Sequence, residues 1–358
     1  MGGLAVSQEF WKGRRVFLTG HTGFKGGWLA LWLRELGAEV QGYALATNTD
    51  PALWQVARIH ERVSSTLADI RDSQNLADAI AAFCPEVVLH LAAQPLVRES
   101  YRVPAETYAV NVTGTLNLLE AVRRSESVRA VVVVTTDKCY DNQEWVWPYR
   151  EQDPLGGRDP YSSSKACTEL VCASWRDSFL RDAGIALATA RAGNVLGGGD
   201  WSAGRLMPDI LRTWYAGESL TLRYPQAVRP WQHVLEPLSG YLCLAQALVE
   251  QGDSVAAAWN FGPDADGLVS VGEVVERLSR RWGGEVHWEI GHLEQPHEAA
   301  LLALDSAKAR AKLGWRPRWT LDQALDRTLE WHCAWRAGAD MQAFTRDQIA
   351  AYQGQTHD

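Results

Sequence analysis

Long hydrophobic runs are missing from this 358-residue sequence. Its apolar stretches, such as Ala130–Val134, fall far short of the ~20 residues that cross a bilayer, so no membrane partner is expected. The opening MGGLAVSQEFWKG has neither a cationic leader region nor a long apolar one, which predicts no secretory signal. Cysteine is sparse. Cys84, Cys139, Cys167, Cys172, Cys243 and Cys333 form no CxxC pair and no dense framework, as expected of a reduced, cytoplasmic protein. Basic runs are absent, and 35 Lys and Arg against 43 Asp and Glu leave a formal charge of −8. That excludes a nucleic-acid binder, although a local basic pocket for a diphosphate is compatible with it. His287, His292 and His297 recur at five-residue spacing, which suits neither a helical metal pair nor a strand face; no metal is expected. No repeat or low-complexity segment occurs. The one residue in excess is Trp, with 17. Most suit core packing, while Trp201 and Trp231, beside charged residues, are candidates for lining a sugar or base pocket.

Short β-branched runs alternate with amphipathic ones. Strands are predicted at Arg14–Thr19, Glu39–Leu45, Ser64–Leu67, Val87–Leu91, Val131–Val134 and Ile185–Ala190. Helical segments fall between them, at Trp28–Leu36, Ser73–Phe83, Arg98–Tyr108, Asn111–Arg123 and from Pro160 onward. Such alternation implies an α/β fold with a Rossmann-like, doubly wound parallel sheet. From about residue 192 the pattern breaks into a smaller mixed α/β substrate lobe. It comprises helix Met207–Ala216, an extended Leu220–Tyr224, a polar–aromatic cluster Arg229–His233, and helices Val271–Trp282, Ser306–Leu313 and Thr320–Arg336. An apolar helix Val234–Leu248 and a strand Trp259–Gly262 are expected to return to the sheet. The predicted division is therefore 1–191 with 234–262 as the dinucleotide-binding domain, and 192–233 with 263–358 as the second lobe, with a ligand cleft between.

Three places carry chemistry. The first strand runs into Gly20-His21-Thr22-Gly23-Phe24-Lys25-Gly26 and then a helix. In that context Gly20 permits a tight turn, Gly23 lets backbone approach a pyrophosphate, and Gly26 lets helix and strand pack closely. The phosphates would meet the helix N-terminus. No acidic residue stands at the end of the second strand, where one would hold the ribose; the first is Asp50. Further cofactor contacts are expected where later strands end, at Asp69 and Ile70, at Leu91, Ala92 and Ala93, and at Asn111 and Thr135. Asp69 suits an adenine amino group, while Asp72 or Ser73 suits a helix cap. The third place is the end of Val131–Val134. Thr135-Thr136-Asp137-Lys138 follows it, where open α/β sheets bind ligands. Tyr161 and Lys165, four apart, share one helix face. An ammonium beside Tyr161 favours its phenolate, making it a base, and Thr136 can bond a substrate hydroxyl. Asp137 and Lys138 are left for a second step.

On GHTGFKGGWL (20–29), TTDKCYDN (135–142), YSSSK (161–165), RAGNVLGGGDW (191–201) and VRPWQHVLEPLSGYL (228–242), the chain resembles the extended short-chain dehydrogenase/reductase family over nearly its whole length. Within that family it looks like the nucleotide-sugar 4,6-dehydratases. The resemblance implies NAD as cofactor and oxidation at sugar C4 by Tyr161 with Lys165 and Thr136. Water loss across C5 and C6 follows, with Asp137 as acid and Lys138 as base, and hydride then returns to C6. Asp-Lys at 137–138 is the pattern of the CDP-glucose and some UDP-sugar branches, and the closeness of the match makes CDP-glucose the expected substrate. A Lys base must act neutral, which burial or nearby cations would have to bring about. The resemblance also places Gln94, Asn194, Arg205, Arg229, Gln232 and His233 at the sugar nucleotide, with Arg229 clamping a phosphate. It implies a homodimer, or a tetramer, through the helix carrying Tyr161, whose Leu170, Val171, Trp175 and Phe179 supply an apolar face. The competing readings are a 4-epimerase or reductase that needs only Tyr161, Lys165 and Thr136, a dehydratase of another sugar nucleotide, and a scaffold that has lost the chemistry.

Overall fold

Runs that are apolar on both sides of the backbone become strands buried on both faces, which is what a parallel sheet requires. The computed structural model describes residues 6–283, 286–291 and 299–354. Its first six strands are β1 (Arg15–Thr19), β2 (Glu39–Ala44), β3 (Ser64–Leu67), β4 (Val87–His90), β5 (Ala130–Val134) and β6 (Ala186–Ala192). Three short strands follow: β7 (Asn194–Leu196), β8 (Leu220–Leu222) and β9 (Val228–His233). After them β10 (Ala258–Phe261) rejoins the main sheet, and β11 (Leu268–Ser270) and β12 (Trp288–Ile290) complete the smaller ones. The main sheet has seven strands in the order β10-β6-β5-β4-β1-β2-β3, all parallel. This is the doubly wound architecture expected from the sequence. Strand order reverses between β1 and β4, so their carboxyl ends open a crevice at the switch point.

Helix Leu235–Gln251, whose residues from Leu235 to Leu248 are all buried, runs across β5 and β6. Beside it lies helix Phe24–Glu35, which buries Trp28, Leu29, Leu31, Trp32 and Leu33 in the same core. On the other face Phe17, Val88, Val131, Val133 and Leu187 pack under helices Ser73–Phe83 and Gly114–Arg123.

Three local features differ from expectation. The helix predicted over Arg98–Tyr108 is two, Val97–Arg102 and Pro104–Tyr108, because Pro104 cannot continue the first and instead opens the second. A widened π-turn, Ala109–Thr113, then leads into Gly114–Arg123. The cluster Arg229–His233 is a strand, despite its proline. β9 pairs with β11 along Val228–Pro230 and with β7 along Trp231–His233, so Pro230 falls where only one side is paired. One helix, Met341–Gly354, is unannounced by the pattern, because its buried positions include the polar Thr345 and Gln348. It returns to helix Phe24–Glu35: Arg346 holds Glu35 through bonds of 2.8 and 3.0 Å, and the Tyr352 ring meets Trp32 edge-on at 5.5 Å.

That return is fastened by one buried carboxylate. Glu236 accepts from Tyr352 Oη (2.6 Å), Trp319 N (2.8 Å) and Arg318 N (3.0 Å). Burial pushes its carboxyl up to about 7, against these hydrogen bonds, which pull the other way. An acid whose folded value exceeds its unfolded one holds its proton longer in the native state. Its contribution is full below about pH 4.3 and is lost as the pH rises to about 7, by roughly 3 kcal/mol. Thermal unfolding should therefore show stability falling over that interval, and Glu236→Gln should remove this component. Parallel pH profiles for the two proteins would refute it.

Candidate active site

Gly20 sits at φ +77°, and a Cβ there would stand 2.8 Å from Ala92 N and from Leu91 C. A Cβ on Gly26 would stand 2.0 Å from Gly20 O, so the helix presses onto the turn with no room for any side chain. Gly23, exposed, donates its own N–H to Gly20 O and opens a helix that no side chain caps. Thr19 Oγ1 receives Leu91 N and Ala92 N, both at 3.1 Å, which draws the ends of β1 and β4 together with the half-buried Ala93 beside them. These are the shape and the donors that a dinucleotide pyrophosphate needs. His21 turns its ring against Gly42 of β2 and bonds Ser65 Oγ at 2.7 Å; burial takes it down to about 4, so it is neutral. Thr22 donates to Leu45 O, and Phe24 lies against Gly197. Lys25 is brought down to about 8, by burial first and then by the charges of Arg205 and Lys165, against Asp137.

At the next strand ends the neighbours are already committed. Asp69 is paired with Arg71 at 2.6 Å and also accepts its backbone N–H. Ile70 is buried against Gly114. Asn111, in the π-turn, accepts from Gln94 N (2.8 Å) and donates to Ser164 Oγ (2.9 Å), tying the loop after β4 to the helix of Tyr161. The Gln94 side chain is held by Thr107 and Leu96 N.

The five residues expected to carry catalysis cluster at the carboxyl end of β5. Thr136 caps a short turn, Asp137–Cys139, and its hydroxyl donates to Asp137 Oδ1 at 3.0 Å. Asp137 is 1% exposed, and its Oδ2 is buried with no hydrogen-bond partner among the described residues. Lys138 is half-buried beside it, its N–H bonded to Thr136. Helix Pro160–Trp175 begins with Asp159 capping Ser162, which sets Tyr161 and Lys165 against this corner. Burial pushes Tyr161 up to about 12, outweighing its hydrogen bond with Thr136; Asp137 also raises it and Arg205 lowers it. Against expectation, the groups that lower it are Thr136 and Arg205 rather than Lys165. Lys165 Nζ donates to Val134 O at 3.1 Å and is itself taken down to about 8 by burial.

The residues expected at the sugar nucleotide divide. Arg205 lies within electrostatic reach of Tyr161 and Lys25, and pairs with Asp200 at 3.1 Å. Asn194 opens β7, half-buried. Arg229 is buried in β9 and donates to Val228 O. Gln232 donates to Phe261 O, leaving Oε1 buried without a partner. His233 lies inside the aromatic core, 4.7 Å from Trp319 and 5.8 Å from Trp28, and burial takes it down to about 3. Trp201 packs on Trp331 and Trp335, and Trp231 bonds Val269 O, so both are engaged in cores. His287 is described, whereas His292 and His297 lie outside the described residues. Among the described residues no group of three His, Cys, Asp or Glu side chains is placed to hold a metal ion, and no helix is long and apolar enough to cross a membrane.

Two residues at this corner had no role in the sequence reading. Glu169, one turn beyond Lys165, receives Thr135 Oγ1 at 2.5 Å and pairs with Arg191 of β6. Its four-residue spacing from Lys165 was the available signal.

Residues 17–328 match the family model described as GDP-mannose 4,6 dehydratase. A CDP-glucose 4,6-dehydratase of Salmonella typhimurium is 49% identical over 98% of this chain and 99% of its own. A UDP-glucose 4-epimerase of Halalkalibacterium halodurans is 27% identical over 88% of the chain and 95% of its own. Among solved structures, a UDP-glucose-4-epimerase from Stenotrophomonas maltophila, with bound NAD and formylated UDP-arabinopyranose, superposes with TM-score 0.79. It is 25% identical and covers 91% of this chain and 100% of its own. A dTDP-glucose 4,6-dehydratase from Streptomyces venezuelae, with NAD bound, superposes at 0.76 over 92% of this chain and 99% of its own; at 24% identity it speaks for the fold.

Proposed function

The chain belongs to the GDP-mannose 4,6 dehydratase family, and on that premise we propose that it is an NAD-dependent hydro-lyase converting CDP-glucose to CDP-4-keto-6-deoxy-glucose and water. One observation carries the reaction type. Beside Tyr161 and Thr136 stands a buried Asp137 with one oxygen bonded and the other unpartnered, an acid that oxidation at C4 alone does not need. The nucleotide comes from the 49% identical relative. Epimerases share the fold at lower identity, and the Asp137–Lys138 pair argues against their chemistry here.

The glycine turn and the ends of β1 and β4 fit the dinucleotide, with Gly20 and Gly26 leaving the space and the helix after Gly23 opening without a side-chain cap. NAD, when bound, supplies the hydride acceptor for C4 and gives that hydride back at C6. Tyr161 takes the 4-OH proton, with Thr136 orienting the hydroxyl and the Lys165 ammonium stabilising the phenolate. The 4-keto group acidifies C5–H; Lys138 removes that proton, and Asp137 protonates the departing 6-OH. Arg205 and Lys25 supply positive charge toward the diphosphates, and Arg229 and Asn194 border the same lobe. On this reading residues 1–191 with 234–262 hold the dinucleotide. Residues 192–233 with 263–358 hold the sugar nucleotide, their last helix leaning back on Phe24–Glu35. Helix Pro160–Trp175 and its continuation leave Leu170 60% and Phe179 42% exposed, the face through which we propose a homodimer.

Mass spectrometry after incubation with NAD and, separately, CDP-, UDP-, dTDP- and GDP-glucose tests this. Loss of one water from CDP-glucose is expected. Loss from another nucleotide alone would overturn the substrate, and isomerisation without water loss would favour the epimerase.

A further inference from the structure

A buried ion pair stands behind the catalytic corner and meets it at Thr135. Glu169 and Arg191 are each 3% exposed, with Arg191 Nη2 at 2.8 Å from Glu169 Oε2 and Nε at 2.9 Å from Oε1. The remaining acceptor sites of the carboxylate are filled as well. Thr135 Oγ1 donates to Oε1 at 2.5 Å and Thr189 Oγ1 to Oε2 at 2.7 Å. Arg191 continues to Tyr140 Oη (2.8 Å), which donates to Asn260 Oδ1 (2.7 Å). The end of β5, two residues of β6 and the helix of Tyr161 are thereby tied at one carboxylate, and Asn260 joins β10 to it through Tyr140 and Arg191. Burial alone would push Glu169 up, but the bonds from Arg191, Thr135 and Thr189 outweigh it and hold it below the ordinary carboxylate value. It is therefore ionised.

A buried pair is a weak source of stability, because desolvation offsets most of the attraction. A hydrophobic pair would fill the same space, which directs attention to what this one does for its neighbours. Thr135 is the residue before Thr136, and Lys165 is one helical turn before Glu169. We propose that Glu169 is a positioning residue for oxidation at C4: locked by Arg191 and Thr189, its carboxylate fixes the Thr135 end of the catalytic corner and places a negative charge one helical turn beyond Lys165.

The surroundings of Lys165 make this charge matter. Tyr161 and Cys172 flank it on its own helix, and Asp137 and Cys139 lie on the turn after β5. His90 faces it from β4 and Lys25 from the glycine turn, while Arg191 of β6 is paired with Glu169. His90 is neutral, since burial takes it down to about 3, and Lys25 is a like charge. Burial brings Lys165 down to about 8, and Glu169 is among the groups that raise it. The sign follows. Removing the carboxylate leaves the Arg191 guanidinium uncompensated, the ammonium becomes less favourable, and Lys165 loses its proton at lower pH.

The inference rests on the dehydratase reading, so its test includes a measurement that needs no substrate. In Glu169→Gln, titration of Lys165 followed by NMR of lysine-labelled protein should move down by about one pH unit. The alkaline limb of kcat should move with it. At the optimum kcat should fall about 10- to 100-fold with KM changed little, as a small displacement of a reacting group produces. Glu169→Asp should restore part of both. A folded Glu169→Gln with wild-type titration and kcat overturns the proposal. If that variant does not fold, Glu169→Gln with Arg191→Met removes both charges; recovery of wild-type kcat and pH profile there would mean that the pair serves only the fold. Thr135→Val leaves the ion pair whole and cuts the tether alone. It should lower kcat without moving the limb, and wild-type kcat in it would also overturn the proposal. A shifted Lys165 titration in a protein that fails to dehydrate CDP-glucose would leave the inference standing and remove the substrate assignment.

Discussion

Tyr161→Phe should lower turnover by at least about 10³-fold while the protein keeps its fold. The substitution removes one oxygen and no packing volume. The hydroxyl it removes is bonded with Thr136, beside Asp137, in a site where burial already holds the phenol near 12. With so high a value the phenol is a poor base unless the ammonium of Lys165 faces it as the proton leaves. The two residues thus act as one unit, and neither substitutes for the other. The loss should appear in the first half-reaction. Mixing the variant with NAD and CDP-glucose should produce no reduced-nicotinamide absorbance and no exchange of hydrogen at C5. Turnover within tenfold of wild type would remove Tyr161 from the role of base. The Thr136→Val variant is the control for orientation, and should retain more activity than Tyr161→Phe.

Asp137→Asn and Lys138→Ala should separate oxidation from elimination. Both should still reduce bound NAD in the presence of CDP-glucose, and both should lose water from the sugar about 10² to 10⁴ times more slowly. Reduced cofactor should then accumulate, an effect visible without isolating the product. The physical basis is the site of Asp137. One oxygen is held by Thr136, the other is unpartnered in a place water does not reach, and Pro230 and Gly193 close over it; a Cβ on Gly193 would come within 2.4 Å of Pro230 Cγ. An amide there keeps the shape and loses the transferable proton. Equal slowing of both half-reactions in Asp137→Asn would make the carboxylate a structural group.

What was legible in the sequence follows a simple division. The main sheet and the glycine turn were, because buried parallel strands are uniformly apolar and a turn touching backbone at 2.0 Å admits only glycine. So was the clustering of Thr136, Asp137, Tyr161 and Lys165, since a strand end and a helix start are close in any such fold. Residues whose meaning depends on tertiary neighbours were not. His233 reads as a polar ligand next to Gln232, yet it lies between Trp28 and Trp319. The bonds of Gln94 to Thr107 and of Asp69 to Arg71 were not legible either. Pro230 hid a strand because the rule against proline assumes pairing on both sides, and β9 changes partner at that residue. Helix Met341–Gly354 was hidden because two of the five residues it buries, Thr345 and Gln348, are polar.

That last helix sets a schedule for making the protein. Trp32 belongs to the first Rossmann helix to leave the ribosome, and the Tyr352 ring that covers it is 320 positions later in the sequence. At ~5–20 residues per second the interval is roughly 15–60 s, during which an indole-rich face has no cover from its eventual partner. The helix after the glycine turn is thus among the first parts synthesised and among the last to be finished.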